Sequence, residues 1–170
     1  MDLRGYLKVL GIYALLVVVQ VLVFNNIKIS SYGITPFFYV LFVLSVPFEV
    51  PKWLTLCFAF VLGYTVDMFA DTPGLHTAAS VFMAFMRPVM LNILAPRDGY
   101  ESGLFPYAAY MGMPWYLRYS VPLIFLHHLS YFLIDSIGFF SFYQILIKIF
   151  ATTAVTVLFV VLAQFFVRRR

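Results

Sequence analysis

Gly63, Asp67 and Asp71 stand four residues apart in a stretch, Trp53 to Ala70 and the residue after it, that is otherwise apolar. Residues at i and i+4 share a helix face, so the spacing predicts both carboxylates and the glycine on one side of one helix. An acid inside a membrane span is costly unless paired or hydrated, which makes it a functional-site hypothesis by default. His76 opens the next apolar run and Arg87 lies within it. Farther on come His127-His128, Asp135 and Lys148. These residues are the ones able to bind a cation, move a proton or hold an ion pair.

Metal chemistry fits them poorly. Gly63-x3-Asp67-x3-Asp71 matches half of the signature of the CDP-alcohol phosphotransferases, but the Asp-x2-Asp-Gly-x2-Ala-Arg half is absent upstream. Hard cations take six or so oxygen ligands, and two acids fall well short. His127-His128 with Asp135 lacks a third ligand at zinc spacing. No Gly-x-Ser-x-Gly, His-Glu-x2-His or phosphate-loop pattern occurs. The expectation is therefore a protein with no catalytic residue, no metal and no cofactor.

The elements that must position these side chains follow from composition. Of 170 residues, 64% are hydrophobic and 11% charged, and the mean hydropathy is +0.96, well beyond the apolar share of a soluble domain. Such a chain reads as an all-α polytopic membrane bundle in one domain. Crossing the hydrocarbon takes about 17 to 25 apolar residues. Six such runs are expected as transmembrane helices, at about 6–24, 34–50, 53–70, 75–94, 119–139 and 142–167. Pro36 near the start of the second is harmless there, while Pro47 near its end is expected to kink it. Residues 95–118 form the only long connection, and Phe105 to Tyr119 in it is unusually aromatic. The first run is long for a signal peptide and lacks a small-x-small cleavage site, so it is expected to stay as an anchor. Cys57 is the single cysteine, which rules out an intrachain disulfide.

With the N-terminus in the cytoplasm, Arg4, Lys8, Lys52, Arg97, Arg118 and Arg168-Arg169-Arg170 gather on that side, leaving Lys28 in the opposite loops. The positive-inside rule then places both termini in the cytoplasm. The net charge of +4 is explained by that topology and by attraction to anionic lipid. The basic residues bracket apolar runs and form no stripe, which argues against nucleic-acid binding.

Depth arithmetic suggests contacts. If the last two runs turn near Phe140-Ser141, Asp135 and Lys148 lie equally far from the turn, each about 10 Å deep at about 1.5 Å per residue, as an intramembrane ion pair would require. Asp67, Asp71 and His76 belong to the same, outer half, with Arg87 and the two histidines nearer the centre or the inner half. Only one of two adjacent histidines is expected to face the bundle well. His128, Tyr131 and Asp135 make one stripe at i, i+3 and i+7, so His128 is expected inward, holding a structural hydrogen bond.

The same residues carry a family resemblance. A basic start, Pro36 early in the second run, Gly63-x3-Asp67, the turn Asp71-Thr72-Pro73, Gly74-Leu75-His76, Arg87-Pro88 and Ala95-Pro96-Arg97 occur in the order seen in MreD proteins, in a form that resembles those of the Bacteroidetes type. The resemblance implies a six-helix bundle similar to the substrate-binding component of energy-coupling-factor vitamin transporters, used for assembly instead of uptake. It implies a non-enzymatic inner-membrane scaffold of cell-wall elongation that binds a single-span MreC-like partner and couples MreB filaments to peptidoglycan synthases. Docking another span in lipid needs close packing and polar contacts, for which Gly11, Gly63 and Gly74 are candidates. In such a scaffold Asp67→Asn is expected to be tolerated. The rival expectation is a small-molecule carrier, with Asp67, Asp71, His76 and Asp135 lining a cavity for a cationic ligand.

Overall fold

The computed structural model describes residues 3–26, 34–101, 103–136 and 142–167. Every regular element among them is helical. Lys28 and Arg168–Arg170, which carry part of the charge asymmetry, lie outside the described residues.

α1 covers Leu3–Leu22 and closes in a 3₁₀ turn at Phe24–Asn26, where the Asn26 amide donates back to the Leu22 carbonyl at 3.0 Å. The expected second span is not a continuous helix. Residues 34–37 carry no helix, Phe38–Val40 make a 3₁₀ turn, and α2 is only Leu41–Ser45. Prolines are the cause. The residue before a proline is pushed out of the helical region, and Val46, preceding Pro47, takes φ −58° and ψ 129°, ending α2. Pro51 then stands at the N-cap of α3.

α3, Lys52–Ala70, ends at Asp71, whose φ of 55° is left-handed. Asp tolerates that conformation through local hydrogen bonding. Gly74, at φ 84°, starts α4, Leu75–Ile93. Gly74 is thus a turn residue whose positive φ favours glycine. A short α5, Ala108–Met111, leads through Gly112 into α6, Met113–Asp135. α6 begins six residues before the expected fifth span because Pro114 sits in its first turn, where a missing N–H is harmless. The expected 95–118 loop is correspondingly shorter. α7 covers Phe142–Gln164.

α3 packs on α4, α4 on α6, α6 on α7, and α1 on α3. Tyr39, Leu44, Leu62, Met83, Leu123, Ile124 and Ile149 are buried between them. The outward faces are apolar as well: Leu15 and Leu22 on α1, Phe60 and Met68 on α3, Phe85 and Ile93 on α4, Phe150 and Leu158 on α7 are exposed. α3 and α7 are each long and apolar enough to cross a membrane.

Candidate functional site

Breaking the helix over 34–40 releases backbone groups that, once buried, need partners from elsewhere in the protein. The partners come from the surrounding helices. Gln20 of α1, fully buried, donates to the Pro36 carbonyl at 3.1 Å and accepts the Tyr39 N–H at 3.2 Å. The Phe37 N–H donates to Thr156 Oγ1 of α7 at 3.1 Å.

From that segment the Tyr39 phenol reaches into the bundle and joins two helices. Its hydroxyl lies 2.8 Å from His76 Nδ1 on α4 and 2.8 Å from His127 Nε2 on α6. One hydroxyl has one proton to donate, so it can donate to one imidazole and accept from the other. Phe37 is enclosed beside it, 5.2 Å from His128 in a stacked arrangement and 4.9 Å from His76 edge-on.

Both adjacent histidines face inward, contrary to the expectation that one would turn away. His127 points to Tyr39, whereas His128 points to α7. The roles of His128 are set by its neighbours. The Ile124 carbonyl 2.7 Å away only accepts, so Nδ1 carries the proton. Thr156, whose oxygen already accepts from Phe37, donates to Nε2 at 3.3 Å. His127 Nδ1 has no hydrogen-bond partner among the described residues.

Asp67 is buried and joins α3 to α4. Oδ1 accepts the His76 N–H at 2.9 Å and the Thr72 hydroxyl at 2.8 Å. Oδ2 accepts the Thr77 N–H at 2.9 Å and its hydroxyl at 2.6 Å. This is an N-cap supplied by a neighbouring helix, with a carboxylate at the positive end of the α4 dipole. All four partners are donors, complementary to a group that only accepts. Gly63, one turn earlier, allows the approach. A Cβ built there would lie 2.7 Å from the His76 carbonyl oxygen and against the Thr77 backbone. Asp71 does not join them: it lies past the last turn of α3 and is exposed.

Arg87 forms a second centre, 3% exposed. Its Nε donates to the Tyr119 hydroxyl at 2.8 Å and one terminal nitrogen donates to the Val46 carbonyl. Tyr119 in turn donates to the Leu44 carbonyl at 3.1 Å. The pair caps the C-terminal end of α2, where a cation complements the dipole. Nearby, the Tyr100 and Trp115 side chains donate to the Leu91 and Leu94 carbonyls at the end of α4. Burial raises the Tyr100 phenol above its ordinary value.

Asp135 is the last residue of α6 and Lys148 lies in the second turn of α7, both half-buried. The turn between them falls outside the described residues. Gln20, Tyr39, Tyr119 and Thr156 are the partners that sequence reasoning did not single out, and His127 was expected to turn away from the bundle. The signal was present in the three prolines at 36, 47 and 51, whose freed backbone groups require buried polar partners.

Set against protein-family models, curated proteins and solved structures, the chain matches none of them.

Proposed function

We propose that this protein is a non-enzymatic multi-pass scaffold of the bacterial inner membrane, of the MreD kind. Its bundle docks a single-span MreC-like partner within the cell-elongation machinery, linking MreB filaments to peptidoglycan synthesis, with both termini cytoplasmic. The observation that carries this reading is the way the chemistry-bearing side chains are engaged. Asp67 accepts four hydrogen bonds from α4 and its entry turn, and Tyr39 joins His76 to His127. Arg87 is fixed on Tyr119 and Val46. Each is a strut between elements, and the sum is a rigid bundle with an apolar exterior suited to lipid and to another span. The carrier reading asked Asp67, Asp71, His76 and Asp135 to converge on one cavity, and the exposed Asp71 stands apart from the Asp67–His76 junction.

The test is co-purification after mild detergent extraction, with mass spectrometry of the retained proteins and small molecules. A single-span MreC-like protein retained at stoichiometric level is the expected result. Retention of ATPase subunits or of a bound vitamin-sized molecule in its place would overturn the proposal.

A further inference from the structure

A cavity of about 170 Å³ lies between the start of α3 and the second half of α4. It holds two cationic side chains, Lys52 and Arg87, with Thr55 and Asn92 as neutral polar groups, and no acid is among the residues that line it. A water needs only about 10–15 Å³ of such space, whereas drug-sized ligands take roughly 300–1,000 Å³. The volume therefore suits a small polar group of several heavy atoms.

We propose that this cavity binds a phosphate group, carried by an anionic phospholipid headgroup or presented as the free anion. Arg87 supplies a buried, oriented charge. Tyr119 and the Val46 carbonyl engage Nε and one terminal nitrogen, and a guanidinium has five N–H donors, so further donors stay available to an anion. Lys52 is exposed at the rim and begins α3, so the positive end of a 19-residue helix adds to its charge. Phe48 and Tyr100, stacked at 4.2 Å, form an apolar wall against which a glycerol backbone can rest. Under the orientation proposed above, this end faces the cytoplasmic leaflet, where basic pockets between spans take up anionic headgroups.

The experiment uses the full chain in a neutral detergent, without any partner, so its outcome is independent of the scaffold reading. Native mass spectrometry compares retention of phosphatidylglycerol with phosphatidylcholine, and a thermal-shift titration uses inorganic phosphate. Lys52→Glu and Asn92→Asp alter exposed rim residues, and Arg118→Glu reverses an exposed charge outside the cavity lining. Phosphatidylglycerol held about tenfold better than phosphatidylcholine, weakened about tenfold by each rim variant and unchanged by Arg118→Glu, assigns the site to lipid. Stabilisation by inorganic phosphate that Lys52→Glu removes, without lipid preference, assigns it to the free anion. The proposal is overturned if neither probe discriminates, or if Arg118→Glu weakens binding as much as Lys52→Glu does, which would mean diffuse surface attraction.

Discussion

The carboxylate of Asp67 on α3 holds Thr77 on α4 at two points, accepting its backbone N–H at 2.9 Å and its hydroxyl at 2.6 Å. The other carboxylate oxygen holds Thr72 and His76 in the same way. A side chain that meets only donors cannot be exchanged for an amide without turning an NH₂ group toward an N–H.

Asp67→Asn is accordingly expected to destabilise the bundle, against the tolerance that the sequence alone suggested. The loss of charge at a helix N-terminus and one mismatched donor pair together cost about 2–4 kcal/mol. Asp67→Ala should cost at least as much. Thermal unfolding in detergent, followed by helical circular dichroism, measures both. An Asn variant with unchanged midpoint would mean that the four bonds contribute little.

Gly63 makes a sharper structural probe because the obstacle is backbone. A methyl group there meets the His76 carbonyl and the Thr77 main chain, so α3 and α4 must separate and the Asp67 bonds to His76 and Thr77 lengthen. Gly63→Ala is expected to cost about 2–3 kcal/mol, in the range of overpacked cores. Gly11→Ala is the control. Its Cβ would meet nothing within 4 Å, and the helix interior should gain about 0.5–1 kcal/mol. Equal effects of the two changes would show that the α3–α4 approach is not tight.

Helical class, the α3–α4 hairpin with its turn, and the shared face of Gly63 and Asp67 are legible in residue spacing, because apolar period and turn chemistry are local. The broken segment was not read correctly. Its length and hydropathy resemble those of a span, and only the φ restrictions imposed around Pro36, Pro47 and Pro51 distinguish it from one. Asp71 was misplaced for a related reason: spacing assumed that the helix continues, whereas the chain turns left-handed at that residue. The inward orientation of His127 was not legible, because a one-helix stripe cannot foresee a partner such as Tyr39 arriving from a segment outside the long helices.

Asp135 and Lys148 lie near the adjoining ends of α6 and α7, and the antiparallel arithmetic that sets them at equal depth gives a double-mutant cycle. Asp135→Ala is expected to lower stability by about 1 kcal/mol, and adding Lys148→Ala should restore part of it, since removing one partner strands the other charge. Denaturation midpoints of the four proteins measure the interaction. Additivity within about 0.5 kcal/mol would separate the two residues.

Orientation can be tested at positions that the structure places on the surface. Pro73 lies in the exposed turn between α3 and α4, and Asp98 in the exposed loop after α4. In a Cys57→Ser background, needed because Cys57 is itself exposed, Pro73→Cys should react with an impermeant maleimide in intact cells, and Asp98→Cys only after lysis. The reverse pattern would invert the topology drawn from the positive-inside rule.

Tyr39 separates a structural network from a proton path. Its hydroxyl is 2.8 Å from both His76 and His127, and all three side chains are buried. Tyr39→Phe leaves two imidazole nitrogens without partners and should cost about 2–4 kcal/mol, since an orphaned buried polar group carries its full desolvation penalty. In a His127→Leu background the same change strands only His76. That background also removes His127 Nδ1, which has no partner among the described residues. The double variant is therefore expected to be about 1–2 kcal/mol more stable than the sum of the single changes, because replacing both partners by apolar groups approaches neutrality. Unfolding midpoints of the four proteins give that coupling, and growth of a depleted strain carrying each variant gives the function. If the network is a strut, function follows stability across the four proteins. A Tyr39→Phe protein that unfolds like the wild type yet fails in cells would point instead to protons moving along Tyr39 and His127, and the scaffold reading would fall.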